Sequence, residues 1–179
     1  MTLAPGPAPR YTDSPVRAYV AVGTNLGDRW ANLALAARGL RAVPRTAVVA
    51  ASRVFDTAPV GPPQPRYLNA VLALETGLPP GALLAALQGV EASALRRRDV
   101  RWGARTLDLD LLLHGEQVVT TPALVLPHPG LRDRRFVLAP LADLASALEV
   151  PGLGETVASL LAHAPVGEVT PVGRFPVGP

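Results

Sequence analysis

The sequence contains no cysteine. That removes disulfides, thiolate metal sites and cysteine nucleophiles together, and it gives no sign of an oxidising compartment. Lysine is missing as well, since all 17 basic residues are arginine. A P-loop lysine, a Schiff-base lysine and a Ser-Lys dyad are therefore excluded. Aromatics are sparse, with two Trp, three Tyr and three Phe, too few for the stacking platform of an RNA-binding module. A net charge of +3 is also small for a nucleic-acid binder. Charge or proline interrupts each apolar run within about a dozen residues, so no membrane-spanning helix is expected. Pro5, Pro7, Pro9 and Pro15 break up the first residues, which do not read as a signal peptide. These absences point to a cytoplasmic protein with neither a membrane nor a nucleic acid as partner.

What is present is an apolar fraction of 49% over 179 residues, enough for one well-cored domain. Residues 1–16 are proline-rich and aperiodic and read as a disordered tail, leaving 17–179 as a single domain. Arg17 to Gly23 is a short apolar strand. Gly23-Thr24-Asn25-Leu26-Gly27-Asp28 follows as a structural turn, with Asp28 placed to cap a helix over 29–42 whose stripe is Leu33, Ala36, Ala37 and Leu40. Thr46 to Phe55 reads as a second strand, and 56–63 as a proline-stiffened loop. Tyr67 to Thr76 alternates as a third strand, with Tyr67, Asn69, Val71 and Ala73 on one face. Asn69 is polar where a core strand takes an apolar residue, so it marks either a sheet edge or a ligand contact. Pro79-Pro80 opens a second helix over 81–95, with Leu83, Leu84, Leu87 and Val90 on its stripe and Gln88 beside Glu91 at i, i+3. Further on, Gln117 to Val119 fits a hairpin return, 136–148 and 155–163 look helical, and residues past Gly167 look frayed.

The richest stretch lies between the second helix and the fourth strand. Five arginines (Arg96, Arg97, Arg98, Arg101 and Arg105) precede Thr106-Leu107-Asp108-Leu109-Asp110. At period two, Leu107, Leu109, Leu111 and Leu113 share one face, while Thr106, Asp108 and Asp110 share the other. Two carboxylates roughly 6–7 Å apart repel unless a cation sits between them. Beside clustered guanidinium groups they suit a metal-bound polyphosphate: Mg²⁺ takes one or two carboxylates plus phosphate oxygens, and arginine forks grip the rest. The plain alternative is a solvated edge strand next to a basic surface. The element order strand–helix–strand–strand–helix–strand is the split βαβ pattern of a ferredoxin-like α+β fold. Such a fold has an antiparallel sheet, helices on one face and the other face free for a site.

Five segments occur in one order: Gly23 to Asp28, Thr57-Ala58-Pro59-Val60-Gly61, Tyr67-Leu68-Asn69-Ala70, Arg101-Trp102-Gly103-Ala104-Arg105 through Asp110, and Pro127-His128-Pro129 through Leu138. Together they resemble the 6-hydroxymethyl-7,8-dihydropterin pyrophosphokinases of folate synthesis over about residues 17–144. The resemblance implies the same ferredoxin-like fold; a monomer is the expectation for the chain. It also implies transfer of the terminal pyrophosphate of ATP to the pterin's hydroxymethyl group, with release of AMP. Asp108 and Asp110 would hold two Mg²⁺ ions and, with Arg96 and Arg98 of a catalytic loop, form the catalytic set. Tyr67 and Phe136 would sandwich the pterin, Asn69 would read its edge, and Thr57, Ala58 and Val60 would line it. Gln88, Glu91, Arg98, Trp102, Arg105, Leu111, His128 and Arg134 would contact ATP. Against the enzyme stand a regulatory or RNA-binding module using arginines on phosphate, which gives Asp108 and Asp110 no role, and a degenerate homologue, which their presence argues against.

Overall fold

The structure is a computed structural model describing residues 14–94 and 106–176. The sequence-derived tail through residue 13, the arginine loop from Arg96 to Arg105 and the last three residues lie outside the described residues. In chain order the elements are β1 (Val16–Thr24), α1 (Arg29–Arg41), β2 (Thr46–Ala51), β3 (Arg53–Thr57), β4 (Tyr67–Thr76), α2 (Pro80–Ser93) and β5 (Asp108–His114). They continue with β6 (Val119–Thr120), β7 (Val125–Leu126), a 3₁₀ turn at Leu131–Asp133, α3 (Arg135–Ala145), α4 (Val157–His163) and β8 (Val169–Arg174). The protein is α+β. Its main sheet runs β5-β1-β4-β3-β8, with β2 also paired to β4, and every pairing is antiparallel. Among the described residues, no helix is long and apolar enough to cross a membrane.

One core lies between the sheet and the α1–α2 layer. Asp28 caps α1 by accepting from the Ala31 N–H at 3.0 Å, and the buried residues of α1 are the predicted Leu33, Ala36, Ala37 and Leu40. They meet Ala18, Val20 and Val22 of β1, Leu68, Ala70, Leu72 and Leu74 of β4, and Leu107, Leu109 and Leu111. The alternation predicted for β4 holds, because Val71 and Ala73 enter a different cluster on the opposite face. Burial from Leu68 to Leu74 makes β4 a central strand, which rules out the sheet-edge reading of Asn69.

Four expectations are corrected. The first is that helices cover one face only. Val137, Leu138 and Leu141 of α3 and Val157 and Leu160 of α4 pack on Tyr19, Val71, Ala73 and Leu113, so part of the second face is covered too. The second is the leucine face of β5. The register against β1 slips between Tyr19 and Val20, so Leu113 pairs with Tyr19 but Leu111 pairs with Val20. That bulge leaves Leu112 as the extra residue and turns Leu113 into the α3 core. The third is the strand over 46–55, which is two strands. At the break, Ser52 Oγ accepts the Val71 N–H at 2.9 Å and donates to the Arg53 carbonyl at 2.7 Å, filling the gap in the ladder. The fourth is the end of the chain. Residues 169–174 form β8 on the edge of β3, from Thr57 opposite Val169 to Arg53 opposite Arg174, and Pro171 sits where that register shifts, as proline does on edge strands.

Candidate active site

The face that carries α3 also carries the site. Phe55 of β3, Asn69 of β4, Gly23 of β1 and Asp108 of β5 are successive register partners and form one row across four strands. The neighbouring rows hold Thr57 opposite Tyr67 and Ala21 opposite Asp110. Strand spacing separates Asn69 from Asp108 by about 10 Å, with a glycine between them. Gly23 is required there by close approach: a Cβ would sit 2.9 Å from Asn69 Oδ1 and 3.8 Å from Tyr67 Cδ1.

The Asn69 side of the row is tightly held. Asn69 is 8% exposed and Thr57 1%, and the Asn69 Nδ2 donates to Thr57 Oγ1 at 2.7 Å. With its amine so committed, the amide turns its oxygen towards Gly23. Tyr67 is half-buried and donates its hydroxyl to Gln64 Oε1 at 3.2 Å. Ala58 is half-buried and Val60 exposed on the loop that follows β3. That loop is tied to the first turn by the buried Asn25, whose Nδ2 donates to Gln64 Oε1 at 3.0 Å and to the Pro65 carbonyl at 2.9 Å. Next to it, Thr24 Oγ1 donates to the Thr106 carbonyl at 2.5 Å, just ahead of the aspartates. The turn after β1 therefore staples both halves of the site. Sequence reading took it as structural, and nothing in a single sequence connects it to residues 64–65 and 106.

On the other side, Asp108 and Asp110 project from the edge strand β5, both half-buried. Arg134 Nη1 donates to Asp110 Oδ2 at 3.1 Å, and His128 Nε2 lies 3.9 Å from Asp110 Oδ1. The bulge carbonyl of Leu112 accepts the His128 N–H at 2.9 Å, which seats the Pro127-His128-Pro129 turn on β5. The Gly130 N–H donates to His128 Nδ1 at 3.1 Å, so a neutral ring carries its proton on Nε2, facing Asp110. Burial lowers the His128 pKa from the usual imidazole range, and Arg134 adds to this against the upward pull of Asp110 and Asp108. Phe136, half-buried in the first turn of α3, stands two residues beyond Arg134.

Comparison with known proteins decides what this constellation belongs to. Residues 19–146 match the family model for 7,8-dihydro-6-hydroxymethylpterin-pyrophosphokinase (HPPK). The chain belongs to this family. A Pseudomonas aeruginosa HPPK, named 2-amino-4-hydroxy-6-hydroxymethyldihydropteridine pyrophosphokinase, is 47% identical over 150 residues, covering 83% of this chain and 92% of the relative. A Bacillus subtilis protein of the same name is 41% identical over 133 residues, covering 74% and 80%. Among solved structures, Plasmodium falciparum HPPK-DHPS wild type with pterin and p-hydroxybenzoate superposes with a TM-score of 0.66 at 12% identity. That match covers 86% of this chain and 43% of the Plasmodium chain, so the present chain spans less than half of it; the likeness is one of fold.

Of the expected site residues that the structure describes, eight gather on one sheet face: Thr57, Tyr67, Asn69, Asp108, Asp110, His128, Arg134 and Phe136. Three of the expected nucleotide contacts sit differently. Leu111 is buried in the α1–α2 core, so its side chain turns away from the aspartate face. Glu91 is 4% exposed, and its Oε1 accepts the Leu109 N–H at 2.8 Å, gripping the strand between the two aspartates. Gln88 is exposed one turn earlier on α2. Arg96, Arg98, Trp102 and Arg105 lie outside the described residues.

Proposed function

We propose that this protein transfers the pyrophosphoryl group of ATP to the hydroxymethyl group of 6-hydroxymethyl-7,8-dihydropterin, releasing AMP, as a step of folate biosynthesis. Family membership supports the reaction class. The observation that carries the reading is the row Phe55–Asn69–Gly23–Asp108. It sets an amide able to read a heteroaromatic edge about 10 Å from a carboxylate pair, across a floor kept bare by glycine.

In this reading Tyr67 and Phe136 clamp the pterin ring. Asn69 reads its edge through Oδ1, held by Thr57, and the loop of Ala58 and Val60 closes over it. His128 and Arg134 meet the polyphosphate. Glu91 and Leu111 act from beneath, fixing the strand that bears the aspartates, while Gln88 borders the nucleotide. Arg96, Arg98, Trp102 and Arg105 complete the phosphate grip. The donor set fits magnesium. Two carboxylate oxygens on one strand face suit a hard ion that completes its shell with phosphate oxygens and water. Among the described residues no cluster of three His, Cys, Asp or Glu forms a stand-alone cage. Asp108 and Asp110 would hold Mg²⁺ (two ions in the full reading), which would supply charge neutralisation and alignment of the phosphoryl group. The strand order β5-β1-β4-β3 supports a ferredoxin-like core, and 17–179 acts as one unit and as a monomer. Purified protein incubated with ATP, Mg²⁺ and the hydroxymethyl-dihydropterin should release AMP in step with pterin consumption. No AMP under those conditions refutes the assignment.

A further inference from the structure

We infer that Arg134 is a counter-ion of Asp110, so that a divalent cation enters this site together with polyphosphate and only weakly by itself. The inference rests on reading Asp108 and Asp110 as the metal-holding carboxylates. Its first support is the 3.1 Å hydrogen bond from Arg134 Nη1 to Asp110 Oδ2, a contact in which a guanidinium stands in for a cation. The second support is the seat that holds it. A Cβ on residue 130 would lie 2.6 Å from Arg134 Nε, 3.1 Å from Cζ and 3.2 Å from Cδ. The arginine therefore lies flat on Gly130, in a space that any other residue would fill. The same glycine donates its N–H to His128, so one turn fixes both groups that flank Asp110.

The consequence follows from charge. Two carboxylates hold a hard divalent ion weakly without further anionic oxygens, and a positive charge on one of them opposes the ion again. Polyphosphate changes the balance. Its oxygens make better partners for a guanidinium than a single half-buried carboxylate does, so Arg134 exchanges Asp110 for phosphate and leaves the carboxylate oxygen to the ion. Metal and nucleotide thereby strengthen each other's binding, and by reciprocity each does so by the same factor. Arg134 offsets the charge of one of the two carboxylates and couples the two ligands.

The test is Mn²⁺ binding, read from the electron paramagnetic resonance signal of the free ion, with and without a non-hydrolysable ATP analogue. Without nucleotide, Arg134→Gln should bind Mn²⁺ at least about fivefold more tightly than wild type, since a unit charge near the ion is removed. The gain in Mn²⁺ affinity on adding the analogue should shrink by a similar factor. Gly130→Ala keeps the charge but removes the seat, and should move both quantities the same way by a smaller amount. Mn²⁺ affinity in Arg134→Gln equal to or below wild type overturns the inference, as does undiminished coupling to the analogue. An Asp110→Asn control separates this failure from failure of the site itself. If that variant still binds Mn²⁺ with the analogue as wild type does, the carboxylates do not hold the metal and both readings fall.

Discussion

At the scale of single residues, the least conspicuous position is among the most constrained. Gly23→Ala would place a methyl group 2.9 Å from Asn69 Oδ1. Asn69 cannot yield without losing its 2.7 Å bond to Thr57. We expect turnover and pterin affinity to fall roughly tenfold to a hundredfold, the usual consequence of a small misplacement in a reactive site, with ATP affinity unchanged by calorimetry. An equal loss for both ligands would place the defect elsewhere. Asp108→Asn and Asp110→Asn should each lower kcat by on the order of a thousandfold or more while leaving the melting temperature near wild type, because both side chains are half-exposed. Near-normal turnover in both at saturating Mg²⁺ would remove the metal role. The aspartates and Asn69 were legible in the sequence because each puts polar chemistry on a strand that otherwise runs apolar. Gly23 was not. A glycine at a strand end reads as a turn, and its place between Asn69 and Asp108 is pairing information that one sequence does not carry.

At the scale of elements, β5 explains why a helix residue bears on the site. It is the first strand of the sheet order, so one side of its backbone has no strand neighbour among the described residues. Glu91 of α2 takes the Leu109 N–H there at 2.8 Å, between the two aspartates. Glu91→Ala leaves that buried N–H without its carboxylate and should cost about 1.5–3 kcal/mol in urea unfolding, the range for hydrogen bonds to charged groups. Glu91→Gln, which still offers an acceptor oxygen, should cost less. Equal stability of the alanine and glutamine variants would show that this bond does not fix the strand. Helical periodicity did find Leu83, Leu87 and Val90 as the buried stripe of α2. It did not reveal that Glu91 faces β5, since a charged residue beside a stripe reads as its solvated border. The same limit applies to the bulge at Leu112. Strict alternation assigns Leu113 to the wrong core, and the extra residue becomes visible only from its partner strand.

At the scale of the molecule, the strand–helix–strand–strand–helix–strand half was readable because both periodicities are strong there. The layer on the other face was readable only in part. The helices α3 and α4 were foreseen, but not the sheet face they cover. β8 escaped because most of its side chains are exposed and its pairing to β3 is by main chain, which no apolar pattern announces. A polar clamp ties the body of α3 to β3. Asp143 of α3 accepts from Arg53 Nε at 2.9 Å, from Nη2 at 2.7 Å and from the Arg53 backbone N–H at 3.1 Å. The guanidinium hydrogen bonds foremost, with the backbone N–H and the arginine charge, hold the Asp143 carboxyl below its ordinary value of 3.8 against the upward push of burial. A carboxyl depressed on folding binds fewer protons in the native state than in the unfolded one, so stability rises with pH across the window between its two pKa values. The contribution is therefore complete above about 3.8 and disappears as pH falls through the lower folded value. Asp143→Asn should melt below wild type at pH 7, and the gap should close as both are acidified from pH 5 towards pH 2. Circular dichroism melts across that range provide the measurement. A gap that stays constant with pH would mean that the clamp on α3 acts through shape and neutral hydrogen bonds, and that its charge does not hold the second layer to the sheet.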